Sequence, residues 1–261
     1  MNDASKQLLE QRPGCSGAEG GLGFEDDPSA PGRRVWRPSG RRAVGSGLVA
    51  IVLGLLTLFQ LVVCVWFAGM PGGLPESLFL LIFPGLMAAL TAYVWRDMRG
   101  KLGGLIVLDG SSLTLHLTGG RSLIHNPPPC HETIPFGVIE AVETRLEAYG
   151  AQTMGMMQRT YRLRRRSGPP IFLFEERALG TRLADHSLQV VAAEIAQRAG
   201  APLNDLGMVQ GRGGILGAWF TSAPDWSAAA LPAPRQVALW HRVYLTGVLV
   251  TLTFAVIWIF R

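Results

Sequence analysis

Residues Leu48–Phe67 read LVAIVLGLLTLFQLVVCVWF, a run without one charged side chain. Crossing the hydrocarbon of a bilayer takes about 20 such residues in a helix. The uncharged stretch begins at Ala43 and ends at Met70, so a first membrane span is expected over residues 43–70. Arg33, Arg34, Arg37, Arg41 and Arg42 precede it, whereas residues 71–76 hold no Lys or Arg. Positive flanks stay in the cytoplasm, which puts the amino terminus inside.

Outward from that run, two further stretches read the same way. After Pro71-Gly72-Gly73-Leu74-Pro75, residues 77–95 are uncharged and predict a second span, kinked at Pro84-Gly85. Arg96, Arg99 and Lys101 then mark a return to the cytoplasm. Residues 239–260 predict a third span, with Trp240, His241 and Arg242 at its interfacial start and only Arg261 beyond it. Composition agrees: 48 % of the 261 residues are hydrophobic and 16 % charged, against about 25 % charged in soluble domains.

The remaining chain divides by character. Residues 1–42, rich in Gly, Pro, Ser and charge, cannot bury enough surface to offset ordering and are expected to be a disordered tail. They do not form a signal peptide, because the apolar run begins too late. Residues 101–203 are expected to be one cytoplasmic β-rich domain, and residues 204–238 a flexible or interfacial linker carrying Trp219, Phe220 and Trp226. Cys15, Cys64 and Cys130 lie in a tail, an apolar run and a loop, so no disulfide framework is suggested.

Within the β region, Leu105–Leu108 and the alternating Leu113, Leu115 and Leu117 flank Asp109-Gly110 and predict a hairpin. Arg121–His125 reads as a short third strand before Pro127-Pro128-Pro129. Val142, Thr144, Leu146 and Ala148 alternate with Glu143, Arg145, Glu147 and Tyr149, which favours a strand, although Ile139, Val142, Leu146 and Tyr149 also fit a helix. Tyr161–Arg166 and Ile171–Phe174 flank Ser167-Gly168-Pro169-Pro170 as a second hairpin. A helix follows, with Asp185 as its cap, an apolar stripe of Leu188, Val191, Ala192, Ile195 and Ala199, and a stop at Gly200 and Pro202.

Spans followed by successive strands and one closing helix resemble the bacterial membrane proteins that carry a pleckstrin-homology-like domain. The likeness rests on Ile134–Glu140, on the Tyr161–Leu173 hairpin and on the helix ending in Ala199-Gly200-Ala201-Pro202. It covers residues 101–203 and is architectural. It implies a small barrel plugged by a helix and a place in the bacterial inner membrane. The expected fold class is therefore a membrane protein, α+β, with three transmembrane helices and a small cytoplasmic antiparallel β domain, a pleckstrin-homology-like barrel closed by one carboxyl-terminal amphipathic helix.

Chemistry-bearing motifs are few. His116, His125, Cys130 and His131 hold enough nitrogen and sulfur for a zinc shell, but their spacing matches no known pattern and they are expected to be ordinary surface and loop residues. His131-Glu132 does not continue to HExxH, because position 135 is Pro. Gly211–Gly217 lacks the Lys-Ser/Thr ending of a phosphate loop, and no GxSxG elbow occurs. Gln60 and Cys64 are the polar residues of the first span, and the first two spans hold no Asp, Glu, Lys, Arg or His, which disfavours transport by this chain alone. Met154, Met156 and Met157 are read as loop filling.

Arg162, Arg164 and Arg166 should project from one strand face, near Arg145 and Arg159, as a basic stripe for anionic headgroups or an acidic partner. The net charge of +5 is otherwise concentrated beside apolar segments, so nucleic acid is not an expected partner. The expectations are a non-catalytic membrane-anchored scaffold or assembly module, with no metal, cofactor or small-molecule substrate. Its partners would be the bilayer and a membrane or cytoplasmic protein. The alternative is an accessory subunit of a larger membrane enzyme or transporter.

Overall fold

The structure is a computed structural model and describes residues 24–38, 40–70, 78, 80–122, 124–151, 154–179, 182–183, 187–211 and 221–259. The start of the expected tail, the 71–76 loop, the Asp185 cap, most of the 211–217 glycine run, Trp219 and Phe220 lie outside the described residues.

Among the described residues, two five-stranded sheets form the body. The first holds β1 (Glu25–Asp26), β2 (Arg34–Trp36), β3 (Leu105–Leu108), β4 (Ser112–Leu117) and β5 (Cys130–Pro135), antiparallel and in that spatial order. The second holds β6 (Ile139–Ala151), β7 (Met154–Arg165), β8 (Ile171–Leu179), β9 (Arg182–Leu183) and β10 (Leu203–Gln210), in the order β10-β6-β7-β8-β9. Among the described residues these are joined by the helices α1 (Gly40–Ala68), α2 (Ile82–Leu102), α3 (Ser187–Ala199) and α4 (Ala233–Ile259).

Period-2 alternation places the core. Leu113, Leu115 and Leu117 on β4 are buried, while His116 between them is exposed. They meet Ile106 and Leu108 of β3, Val142 of β6, Tyr161 and Leu163 of β7, and Leu173 of β8 in one cluster. Helix α3 closes it with Leu188, Val191, Ala192, Ile195 and Ala196. That helix stops as the sequence indicates: Gly200 adopts φ +60°, and the Ala201 N–H donates to the Ala196 carbonyl at 2.9 Å, the left-handed C-terminal cap that glycine permits.

Several expectations need correction. The three-span reading is overturned, because among the described residues one helix, Val44–Ala68 within α1, is long and apolar enough to cross a membrane. A soluble core helix of that composition would be mostly buried, whereas 11 % of its most apolar stretch is buried inside the protein. Helix α2 starts at Ile82 and takes Arg96, Asp97 and Arg99 into its last turns. Its uncharged part up to Trp95 rises about 21 Å, well short of about 30 Å of hydrocarbon. In α4, the uncharged part from Val243 to Ile259 also falls below the roughly 20 residues needed. Val243 is instead buried against Leu146, Ala148, Met157 and Met208 of the second sheet.

The closed barrel is not formed either. β10 follows α3 and pairs in parallel with β6, so the edge of β6 that could have met the first sheet is occupied. The reading of residues 1–42 as wholly disordered misses β1 and β2, where Phe24 and Trp36 enter the core and Trp36 lies 5.5 Å from the Phe174 ring. Arg121, Ser122, Ile124 and His125, the described residues of the expected third strand, are irregular chain rather than a strand. The strand lies after the prolines, at β5, in register with β4 from Ser112↔Pro135 to Leu117↔Cys130. The helical alternative for residues 139–149 fails, since β6 runs unbroken from Ile139 to Ala151.

Candidate functional site

The arginine stripe sits on the long β6–β7 ladder. Cross-strand register sets Glu143 opposite Arg162 and Arg145 opposite Thr160, which brings these side chains to one face. Arg162 donates from Nε to Glu143 at 2.6 Å, and Arg164 reaches Glu140 at 2.7 Å and Glu143 at 3.0 Å. Glu143 is 2 % exposed and so holds both guanidiniums with little competition from water. Arg159 turns to the other face and meets Asp205 of β10 at 3.4 Å. Arg166 lies beyond the end of β7 with an exposed side chain. Arg145, Arg162 and Arg164 thus share one face, and Arg162 and Arg164 are paired with carboxylates rather than standing as an open cationic stripe.

Arg145 is buried and binds a strap of chain. Its guanidinium donates to the carbonyls of Asp225 at 3.0 Å and Ala228 at 2.7 Å. Burial pulls its pKa down, and the nearby Asp225 carboxylate opposes that pull. The same strap lays Trp226 over the Arg162 guanidinium, 4.3 Å from the ring centre.

Beside the arginines lies a buried polar cluster. His125 Nε2 is 2.9 Å from Glu147 Oε2, and its Nδ1 is 3.0 Å from the Thr221 hydroxyl. Tyr149 donates its hydroxyl to Glu147 Oε1 at 2.8 Å, and the Gln158 amide donates to Oε2 at 3.0 Å. His125, Glu147 and Gln158 are each no more than 2 % exposed. Burial, helped by the Glu147 charge, pushes the Tyr149 phenol far above its usual pKa, so it stays a donor. Both imidazole nitrogens and both carboxylate oxygens are engaged, so the arrangement ties the 221–228 strap and the 122–126 segment onto β6 and β7. The Asn126 N–H donates to the Thr221 carbonyl at 2.8 Å, which adds a backbone tie.

This face also receives helix α2. Arg96 of α2 donates to the carbonyls of Ser122 at 3.1 Å and His125 at 2.5 Å. Arg121 is held by the carbonyls of Phe172, Thr118 and Pro128. Burial lowers its pKa from the usual guanidinium value.

The four residues considered as a zinc shell do not assemble. His125 is committed to Glu147, Cys130 packs partly buried against the core, and only His116 and His131 meet, across β4 and β5. Sequence reading missed Glu147, Gln158 and Thr221. The signal available was the alternation of Glu143, Arg145, Glu147 and Tyr149, which marks one face of β6; that face is a polar interior one.

No family model matches the chain, and no curated protein or solved structure is similar to it.

Proposed function

We propose that this protein is a non-catalytic, membrane-anchored scaffold whose β body holds a protein partner at the membrane surface. The carrying observation is α1: it is apolar over Val44–Ala68 and exposes Leu48, Phe59, Val62 and Val65, while its partner α2 is bolted to the body through Arg96. Exposed apolar surface of that extent calls for a lipid environment. Arg41 and Arg42 stand at the start of α1 in the sequence, and Arg96 and Arg99 in the last turns of α2, which supports a cytoplasmic body at a bacterial inner membrane. Because Glu140 and Glu143 already answer Arg162 and Arg164, a protein partner is favoured over anionic lipid. The resemblance to proteins with a pleckstrin-homology-like domain is part of this reading. It is supported by strands followed by the capping α3, and the open sheets depart from it.

Alkaline extraction of membranes from cells expressing the full chain tests the anchor, with retention expected and full release overturning it. Vesicle flotation tests the choice of partner. Equal binding to neutral and anionic vesicles is expected, and a strong anionic preference lost in Arg162→Gln/Arg164→Gln would favour lipid.

A second reading, an accessory subunit of a larger membrane complex, is favoured by the groove between α1 and α2. Small residues Gly54, Ala88, Thr91 and Ala92 line it with Leu55 and Trp95, the composition that lets another helix approach closely. Co-purification of the intact protein in mild detergent separates the two, since an obligate subunit brings a stoichiometric partner.

A further inference from the structure

Strands β4 and β5 place two histidines face to face on the solvent side of the first sheet. His116 and His131 are direct cross-strand neighbours, both exposed, with Nδ1 atoms 3.4 Å apart. Their rings stand 5.6 Å apart at 54°, which turns the two nitrogens toward each other. At that separation an N–H···N bond is poor. Two nitrogens bound to zinc at 2.0–2.1 Å with a tetrahedral angle stand about 3.4 Å apart. The observed gap therefore matches the bite of a tetrahedral ion.

The pair is held rigid from below. Leu115 and Leu117, which flank His116 in sequence, are buried, as is Ile134 on β5, so the strands cannot slide without opening the core. Immediately along the same face, the Thr114 and Thr133 hydroxyls are hydrogen-bonded at 3.1 Å, which pins the rung beside the histidines. Cys130 is turned partly into the core and Glu132 is occupied by Arg165 at 2.5 Å, so neither adds to the donor set. Among the described residues no group of three or more metal-ligating side chains occurs.

We propose that His116 and His131 form a bidentate site for a divalent late transition ion, zinc above all, with two coordination positions left open. Imidazole suits Zn²⁺, Ni²⁺ and Cu²⁺, and carboxylate-preferring Mg²⁺ and Ca²⁺ should be refused. The geometry ranks Zn²⁺ and Co²⁺, which accept tetrahedral coordination, first.

The test is equilibrium dialysis of the untagged full chain in detergent against ZnCl₂, beside His116→Gln, His131→Gln and His241→Gln. One site is expected, weakened at least about tenfold by either of the first two substitutions, which remove half the donor set, and unchanged in His241→Gln. Co²⁺ should give the intense visible absorption of a tetrahedral complex, lost in the same two variants. Zinc binding that survives both substitutions, or no binding at millimolar ZnCl₂, overturns the proposal. Both histidines are exposed, and circular dichroism of each variant shows that loss of metal is not loss of fold.

Discussion

The guanidinium of Arg96 and the main-chain carbonyl of His125 lie 2.5 Å apart, joining α2 to the segment that carries the buried imidazole. The same group holds the Ser122 carbonyl at 3.1 Å, so one side chain bridges α2 and the polar cluster. Arg96→Ala should lower the stability of the body by about 1–3 kcal/mol, because it leaves two carbonyls without their charged donor. Arg96→Lys should restore only part of it, since an ammonium lacks the planar fork. Thermal unfolding in detergent reads the difference, and an unchanged midpoint in Arg96→Ala would mean that the joint rests on packing alone.

Packing at that joint leaves no room for a methyl group at Gly100. A Cβ there would sit 2.4 Å from the carbonyl oxygen of Gly120, whose own φ is +73°. Backbone has to move to admit it, at a cost of about 1–3 kcal/mol, which outweighs the roughly 1 kcal/mol that alanine gains over glycine in a helix. Gly100→Ala should therefore destabilise. Gly85→Ala, where nothing lies within 4 Å, should be neutral or slightly stabilising in the same unfolding assay.

Glu147 is the hub of the buried cluster, with His125, Tyr149 and Gln158 all bonded to its two oxygens. Glu147→Ala strands three polar groups at once and should cost about 3–5 kcal/mol in chemical denaturation. The double variant with His125→Ala should be less harmful than the sum of the singles, by about 0.5–3 kcal/mol, because the second deletion removes a group already orphaned. Strict additivity would mean that the two side chains act independently.

Alkaline stability follows from Tyr149. Burial, then the Glu147 charge, raises its pKa in the folded state. Below about pH 10, the ordinary phenol value, both states keep the proton and the contribution is fully present. Above that pH the unfolded chain releases a proton that the folded chain retains, so stability falls by up to about 1.4 kcal/mol per pH unit. Tyr149→Phe removes this one titration, and its denaturation free energy should fall less steeply than that of the native chain between pH 10 and 11. Parallel slopes would sink the assignment.

Local patterns were legible wherever one face of an element meets the core. Leu113, Leu115 and Leu117 announced β4, and the 188–199 stripe announced α3, because period and burial coincide there. What escaped needs long-range partners. β2 is ordered only because β3, some seventy residues on, offers its edge to Arg34–Trp36. β10 carries Gly207 at φ +76° and a register shift between Asp205 and Met208, so it shows no clean alternation. The pairing of Arg162 with Glu143 was not legible, because Glu143 faces Arg162 only once the β6–β7 register is known. His125 and Glu147 are 22 residues apart and meet through an irregular segment that no periodicity describes.

The anchoring role proposed for α1 is open to a direct challenge at Phe59. This residue lies near the middle of Val44–Ala68 and is 66 % exposed, outside the groove shared with α2. An arginine there should not disturb helix contacts, yet at the centre of hydrocarbon it costs about 2.5–3.5 kcal/mol on insertion scales. That corresponds to a shift of roughly a hundredfold toward the uninserted state. Phe59→Arg should release a much larger share of the chain from membranes in alkaline wash, whereas Gln189→Arg on the exposed face of α3 should not. If both variants are retained equally, α1 is not what holds the protein, and the attachment has to be sought in the body or in a partner.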